Sequence, residues 1–411
     1  MMKINTLTRI IFMVGLLFAN HSFSQCPPYH VIYVDSSIAV SGDGSSWSTA
    51  FKTLKQALDT ASICTSIDSI HVAKGSYYPT GNQNATDRNQ SFSMRNNLAI
   101  LGGYPSGGGV RSPLVNITKL SGNINSSVAD DNSYHVLYNL NLDQTAVLDG
   151  VTITNGYASD AGFSNPGPIK NLGGGMYSEN SSCTFVNCKF TDNGAFLQGG
   201  GVYAIGGHMH FDQCSWVEQF AQYGGGMYLI NAEATLAYPI FDGNSAIENG
   251  LLGGGIMMDS SKAVIHHANF SYNGAPMKGG AIYAKHLSEL NIDSSVFTQN
   301  STNSLSLEQS NLKLTNSSLA DQGVVASGVT MNVQNCQFQN YARLSIQSDS
   351  ARIINCQFDH SGIDVSANSL IENCEILNSN NPGIEVWGGN AQIIHTKVSQ
   401  CNNNGLYLHA P

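Results

Sequence analysis

The residues that could carry out chemistry in this chain are few and widely spaced. Of 411 residues, 28 are Asp or Glu and 18 are Lys or Arg. Asp130 and Asp131 are the only adjacent carboxylates, and no carboxylate cluster is expected to accompany Arg343 and Arg352 late in the chain. A glycosidase needs two carboxylates about 5 to 10 Å apart, and a lyase needs Ca²⁺ ligands beside a base. The sequence therefore indicates no catalytic residue.

Two histidines and a glutamate form a weak candidate metal site. His208 and His210 alternate onto one strand face, and Glu233 aligns with His208 in the next repeat of the chain. Imidazole and carboxylate groups bind transition metals, but solvated histidines on an outward face are the favoured interpretation. Asp43 in "SGDGSS" could bind Ca²⁺, although a Gly-Asp turn explains that stretch more simply. No cofactor is expected.

A tyrosine recurs within a glycine-rich motif and is the candidate ligand-binding residue. The motif consists of three glycines or Gly-Gly-Ala, an apolar residue and, in four of five copies, tyrosine; these tyrosines are Tyr177, Tyr203, Tyr228 and Tyr283. If the preceding apolar residue faces inward, alternation along a strand turns each tyrosine outward. A flat stripe of phenol rings would suit a polysaccharide or a cell-surface glycan. The alternative is that tyrosine simply favours strand surfaces.

The same motif reveals a repeat. Its copies begin 25 to 29 residues apart, at Gly173, Gly199, Gly224, Gly253 and Gly279. A second landmark, an aromatic residue with Asn three positions later, keeps step at Phe190, Phe241, Phe270 and Phe297. This period indicates a solenoid, in which each repeat buries its apolar face against the next. Sustained helical spacing is absent beyond residue 65, so the sequence predicts an all-β parallel β-helix.

Alignment on the aromatic landmark also predicts two structural ladders. Small residues two positions earlier share its inward face, so the cysteines there should pack as buried hydrophobes. Asparagine recurs three positions earlier, where a bend needs a left-handed residue, and stacked asparagines would form an amide ladder. The predicted ladder residues are Cys188, Cys214, Cys336, Cys356, Cys374, Asn187, Asn316, Asn335, Asn355 and Asn373.

The glycine and aromatic motifs together resemble the repeat of chlamydial polymorphic outer membrane proteins. From about residue 303 the repeats, with "GIDV", "GIEV" and "GLYL", are similar to the right-handed β-helix of the pectin-lyase-like superfamily. The stretch "IYVDSSIAVSGDGSSWSTAFKTLKQAL" resembles the N-terminal entry of such proteins. The resemblance covers most of residues 31–408 and implies a right-handed β-helix. It admits a non-catalytic, adhesin-like module or, alternatively, a polysaccharide lyase or glycoside hydrolase.

The polygalacturonase motifs Asn-Thr-Asp, Gly-His-Gly and Arg-Ile-Lys are absent from the sequence. This absence favours the adhesin-like or scaffold module, secreted or at the cell surface, over an enzyme. A net charge of −10 provides no basic surface for nucleic acid. The expected partner is therefore a glycan or another extended surface.

Four segments are expected along the chain. Residues 1–24 have the basic, apolar and small-residue layout of a signal peptide, and their apolar run is too short to cross a bilayer. Residues 25–150 should form a capping helix and irregular early rungs, residues 151–302 the glycine-motif rungs, and residues 303–411 shorter rungs. The last rung carries no capping segment, so a missing domain or a partner is expected to cover that edge.

The capping helix is predicted over Ser48 to Ala61, where an apolar stripe follows a candidate N-cap serine. Cys26 precedes the first strand and Cys64 follows the helix. A disulfide between them and two free thiols are equally compatible with the sequence.

Overall fold

The computed structural model describes residues 26, 28–125, 128–160, 169–247, 251–328, 330–347, 350–366 and 368–409. Within these residues the chain winds in successive coils, and a full coil contributes one strand to each of three sheets, named A, B and C here. Neighbouring strands pair in parallel. The predicted signal peptide lies outside the described residues.

The strands of the three main sheets follow one another along the solenoid axis. Sheet A contains Val31–Val34, Ser69–Ala73, Leu98–Tyr104, Ala146–Asp149, Thr184–Val186, His208–Asp212, Glu233–Ala237, Lys262–His266, Glu289–Asp293, Asn311–Thr315, Thr330–Gln334, Ser350–Ile354, Asn368–Glu372 and Ala391–Ile394. Sheet B contains Gly75–Tyr77, Thr118–Ser121, Val151–Thr154, Lys189–Thr191, Ser215–Val217, Ile240–Asp242, Asn269–Ser271, Val296–Thr298, Ser318–Ala320, Gln337–Gln339, Gln357–Asp359, Glu375–Leu377 and Lys397–Ser399. Sheet C contains Leu137–Leu140, Met176–Glu179, Val202–Ile205, Met227–Ile230, Ile256–Asp259, Ile282–Lys285, Leu305–Glu308, Val324–Ser327, Leu344–Gln347, Ile363–Val365, Ile384–Val386 and Leu406–Leu408.

A small fourth sheet lies in the connection from sheet B to sheet C. Its strands are Tyr157–Ala158, Gly194–Ala195, Phe220–Ala221 and Ser245–Ala246. The glycine motif follows in the same connection. Gly173 has a φ of +68°, and a Cβ on Gly174 would lie 2.1 Å from the carbonyl oxygen of Gly194. The first glycine therefore supplies a left-handed turn, and the second allows two backbones to approach closely.

Single left-handed residues turn the chain from sheet A to sheet B. The first of the two residues between a sheet A strand and the next sheet B strand has a φ between 47° and 56° in every coil from Asn187 to His395. The amide ladder predicted there joins Asn316, Asn335 and Asn355, with Nδ2 to Oδ1 distances of 3.1 and 3.2 Å. Asn187 instead donates to Asp149 at 3.3 Å. The bend depends on left-handed geometry more than on asparagine, since Gln, Tyr, His and Ser also occupy it.

The interior is a stack of aromatic and small side chains. The rings of Phe190, Trp216, Phe241, Phe270 and Phe297 are nearly parallel, with centroids 4.5 to 5.4 Å apart. The five predicted ladder cysteines and Cys183 are buried free thiols. Burial of these side chains supplies the main stabilising free energy of each coil.

A second amide ladder is buried inside this stack, three positions after the aromatic landmark. Its members are Asn193, Gln219, Asn244, Asn273 and Asn300, each at most 2 % exposed. The Nδ2 of Asn273 donates to the Oδ1 of Asn300 at 2.9 Å and to the carbonyl oxygen of Phe241 at 2.8 Å. These amides satisfy backbone groups at a tight corner that water does not reach.

The N-terminal coil is covered by an α-helix, Leu54–Ile63. Thr53 caps it in a capping box with Gln56, so the helix begins at Leu54 and the predicted start at Ser48 is wrong. Phe51 lies outside the helix because its backbone N–H donates a hydrogen bond to the carbonyl oxygen of Tyr33 in the first strand at 2.8 Å. The described residues also contain short 3₁₀ segments at Trp47–Thr49, Ala129–Asp131 and Ile169–Asn171.

Cys26 and Cys64 form a disulfide that ties the segment before the first strand to the end of the capping helix. In the part of the chain that the structure describes, no helix has both the length and the apolar character needed to cross a bilayer.

Candidate functional site

The outer face of sheet C carries one column of side chains whose character changes along the solenoid. Parallel pairing places these residues in register, one per coil. In order they are Tyr138, Tyr177, Tyr203, Tyr228, Met257, Tyr283, Ser306, Val325, Ser345, Asp364, Glu385 and Tyr407. The early coils are therefore aromatic, and two adjacent late coils are acidic.

The tyrosine part of this column is buried. Tyr177, Tyr203, Tyr228 and Tyr283 point away from the interior of the solenoid as predicted, but they are only 3 to 6 % exposed. The expectation of an exposed stripe is wrong because the long connection from sheet B folds back over them. Leu172, Tyr223 and Leu252 of that connection pack against this cluster. Within it, the ring of Tyr203 stacks on those of Tyr177 and Tyr228 at 5.5 and 5.7 Å.

Two of the four phenol groups also form hydrogen bonds within the protein. The hydroxyl of Tyr177 donates to Glu179 at 3.1 Å, and that of Tyr283 donates to Glu308 at 2.7 Å. Burial raises the pKa of Tyr203 to about 12. The four tyrosines thus form a second core outside sheet C, and they offer no ring face to a sugar.

In the late coils the connection from sheet B is shorter, and the face of sheet C is open. Asp364 and Glu385 are register partners on adjacent strands. Arg343 lies directly before strand Leu344–Gln347 of sheet C. Its Nε donates a hydrogen bond to one carboxylate oxygen of Asp364 at 2.5 Å, and its Nη2 donates to the other oxygen of Asp364. The Nη2 of Arg343 also lies 3.6 Å from Glu385. One guanidinium group therefore holds both carboxylates.

Aromatic side chains border this charged group. The Nε2 of His409 lies 2.7 Å from Glu385, and the ring of His409 stacks on Trp387. Trp387 is 55 % exposed and Tyr407 is 41 % exposed. Burial raises the pKa of Asp364, since it outweighs the attraction of Arg343, and the charge of Glu385 acts in the same direction as burial.

This arrangement can bind a hydroxylated ligand. Carboxylates accept hydrogen bonds from hydroxyl groups, a guanidinium group donates them, and an exposed indole face stacks on an apolar sugar face. The expectation that no carboxylates accompany Arg343 is wrong, because the chain brings them from two later repeats. The sequence signal was the shared position of Asp364 in "GIDV" and Glu385 in "GIEV".

The histidine group does not form a metal site. The Nδ1 of His208 lies 3.6 Å from Glu233, its Nε2 contacts Thr235 at 2.9 Å, and its ring stacks on His210. Across the described residues, no three His, Cys, Asp or Glu side chains come close enough together to hold a metal ion. The carboxylate of Asp43 accepts hydrogen bonds from Ser45 within the turn, which lowers its pKa to about 2.

Comparison with known proteins bears on the fold. The family model for a right-handed beta helix region matches residues 175–343. Among solved structures, the A-module of the Azotobacter vinelandii mannuronan C-5 epimerase AlgE4 is 12 % identical, with a TM-score of 0.36, 92 % of this chain covered and 98 % of that chain. PfbA, a surface adhesin of Streptococcus pneumoniae, is 11 % identical, with a TM-score of 0.35; the match covers 84 % of this chain and 86 % of PfbA.

The catalytic domain of a GH87 alpha-1,3-glucanase is 8 % identical, with a TM-score of 0.28; the match covers 94 % of this chain and 69 % of that domain. A search of curated proteins found no match to this sequence. At these identities the likeness concerns the fold alone. The parallel sheet topology and the family match confirm the predicted architecture: the chain folds as a right-handed parallel β-helix with a short N-terminal capping helix.

Proposed function

We propose that this protein is an exported, adhesin-like β-helix module that binds a glycan on the late outer face of sheet C without catalysing a reaction. The observation that carries this proposal is an exposed tryptophan, Trp387, beside the network of Arg343, Asp364 and Glu385. Aromatic rings beside fixed donors and acceptors suit a sugar, which has both apolar faces and hydroxyl groups.

The rigidity of the face supports binding. Asp364 and Glu385 lie on paired strands, and Arg343 and His409 fix their carboxylates. Because these groups are ordered before a ligand arrives, little side-chain entropy is lost on binding.

Two observations support export. The disulfide between Cys26 and Cys64 is of a kind that persists in oxidising compartments and is rare in a reducing cytosol. The signal-like N-terminus and the resemblance of the repeat to polymorphic outer membrane proteins point to the same location.

A glycoside hydrolase is the second candidate, and the carboxylate pair favours it. Adjacent strands are about 4.8 Å apart, close to the roughly 5 to 5.5 Å between the carboxyl groups of retaining glycosidases. The raised pKa of Asp364 suits a general acid. Binding is nevertheless the better supported function, because Arg343 contacts both carboxylates and ties them to each other.

A glycan array with matched variants tests the proposal. Trp387→Ala should weaken binding to the array hits about tenfold, which corresponds to roughly 1.4 kcal/mol. Tyr272→Ala, which removes an aromatic ring that is 61 % exposed elsewhere, should bind like the wild type. Equal binding by the Trp387→Ala variant would contradict the proposed site.

The hits should then be incubated with the protein and assayed for reducing ends and unsaturated products. No product is expected from a binding module. Product formation that Asp364→Asn abolishes would replace the binding proposal with the hydrolase.

A further inference from the structure

The outer face of sheet A carries a shallow groove parallel to the solenoid axis. It consists of three depressions of about 320, 330 and 600 Å³. Neighbouring depressions share Glu289 and Thr330, so the groove is continuous. It extends from strand Glu233–Ala237 to strand Ala391–Ile394, eight strands in all, or about 34 Å at the usual spacing.

Side-chain amides recur along the lining of the later part of this groove. They come from successive coils and are Asn291, Asn311, Asn332, Asn368, Asn390 and Gln392. Each amide offers both a donor and an acceptor at a position fixed by the sheet. The Oδ1 of Asn332 is buried and has no hydrogen-bond partner among the described residues. Such a lining matches a ligand that presents many hydroxyl groups along its length.

Two cations flank Asn332 in this part of the groove. Lys313, Asn332 and Arg352 are register partners on three consecutive strands, and both cationic side chains are exposed. Within the described part of the chain, neither Lys313 nor Arg352 forms an ion pair, whereas Lys262 at the other end pairs with Glu289 at 3.5 Å. Two strand spacings place these unpaired charges about 10 Å apart along the axis.

We propose that this groove binds a linear acidic polysaccharide, with successive acidic groups against Lys313 and Arg352. The groove is straight and follows the axis, so it suits an extended polymer. Its amides suit hydroxyl groups, and the two charges that flank Asn332 are positive in a protein whose net charge is −10. The separation of the two cations is close to the length of one disaccharide in an extended chain.

This surface is independent of the proposed site on sheet C, because it lies on a different sheet. The protein would therefore contact glycan on two faces. Single-stranded nucleic acid fits the groove less well, because no aromatic ring lines it for bases to stack on.

Binding of acidic polymers to the full protein tests this proposal. The probes are hyaluronan, which has one carboxylate per disaccharide, polygalacturonate and chondroitin sulfate, with neutral dextran and polyglutamate as comparisons. We expect the wild type to bind at least one acidic polysaccharide and neither comparison polymer. The affinity should fall as ionic strength rises, because the two cations are exposed to solvent.

The variant Lys313→Gln/Arg352→Gln should lose at least tenfold in affinity. Its matched control is Lys119→Gln/Lys189→Gln, which removes two exposed cations on sheet B that also stand two strands apart and form no ion pair with any residue that the structure describes. That control should bind these polymers like the wild type. Both double variants retain Trp387, so failure here is distinguishable from failure of the sheet C site.

All four groove and control positions are exposed, so unchanged thermal midpoints should accompany these results. Three outcomes would overturn the proposal. They are no binding of any acidic polysaccharide by the wild type, an equal loss in the two double variants, and equal binding of polyglutamate.

Discussion

His135 is a residue that this fold holds uncharged. It is 6 % exposed, and its Nδ1 lies 2.9 Å from the carbonyl oxygen of Gly173, to which the neutral ring can donate. Its ring also contacts those of Tyr138 and Tyr177. Burial lowers the pKa of His135 to about 4.

The buried histidine should make the protein sensitive to mild acid. Below pH 6.5 the unfolded chain binds a proton at His135 while the folded chain does not, so stability falls as the pH falls and levels off near pH 4. The loss should reach about 3 kcal/mol. Chemical unfolding from pH 4 to 8 should show this loss in the wild type and lack it in His135→Gln.

Exposed His266→Gln is the control for this experiment, and it should keep the wild-type profile. An unchanged pH profile in His135→Gln would show that another group causes the acid sensitivity.

At the same scale, the sequence predicted which way many side chains point but not what covers them. The alternation that placed Cys356 inward also placed Tyr228 outward, and both directions are correct. The exposure of Tyr228 depends on the fold of the connection before it, which strand periodicity does not describe. The equivalent positions of Asp364 and Glu385 in their repeats can be recognised in the sequence. Their contact with Arg343 cannot be predicted from the sequence, because it depends on how the chain folds between the repeats.

The two amide ladders show that an asparagine side chain contributes differently to folding stability in different elements of the coil. Asn273 is fully buried, accepts from the backbone of Asn244 at 3.2 Å and donates to two further groups. Asn335 is exposed at the corner from sheet A to sheet B. Loss of the buried amide leaves donors and acceptors without partners, while water replaces the exposed one.

Asn273→Ala should therefore destabilise the protein by about 2 to 4 kcal/mol. Asn335→Ala should cost only about 1 kcal/mol, chiefly because alanine disfavours the left-handed conformation. Urea unfolding of the two variants measures the difference. Equal losses would mean that the buried ladder contributes no more than the exposed one.

Asparagine recurs both three positions before and three positions after the aromatic residues, and both positions form ladders. The sequence predicts a ladder only at the earlier position, because the burial of the later asparagine depends on the fold of the corner that follows it. The helix start illustrates the same difficulty, because Phe51 fits a helical stripe but pairs with a strand instead.

Across the whole molecule, stability should be local, since each coil contacts mainly its neighbours. The disulfide between Cys26 and Cys64 closes a loop of 38 residues and secures only the first coil. In the chain-entropy picture, such a loop stabilises by about 3 to 4 kcal/mol.

Replacement of both cysteines by serine should increase hydrogen exchange in Val31–Val34 and Ser69–Ala73. Distant strands such as Asn311–Thr315 should keep their protection, because this strand lies nine strands along sheet A from Val31–Val34. Cys401→Ser is the control, and it should leave the first coils unchanged. A uniform rise in exchange along the chain would show that the solenoid unfolds as one unit.

The solenoid architecture as a whole was the most predictable property, because one period determined it many times over. Every coil repeats the same landmark, so an error in one copy is corrected by the others. The binding surfaces were less predictable because they occur once and draw on residues from several coils.

The corners of each coil differ in how much change they tolerate. From strand Thr184–Val186 onward, the connections from sheet A to sheet B and from sheet C to sheet A have two to four residues. The connection from sheet B to sheet C is longer in four coils, where it has nine to thirteen residues. These four connections follow strands Lys189–Thr191, Ser215–Val217, Ile240–Asp242 and Asn269–Ser271. Additional length can enter this connection between the fourth-sheet strand and the glycine motif, as it does between Ser245–Ala246 and Gly253, without disturbing the stacked ladders. Long surface loops cost little closure entropy. Evolution or a protein engineer could therefore diversify one edge of this rod freely, and peptides grafted at that corner would be displayed in a single row at regular intervals.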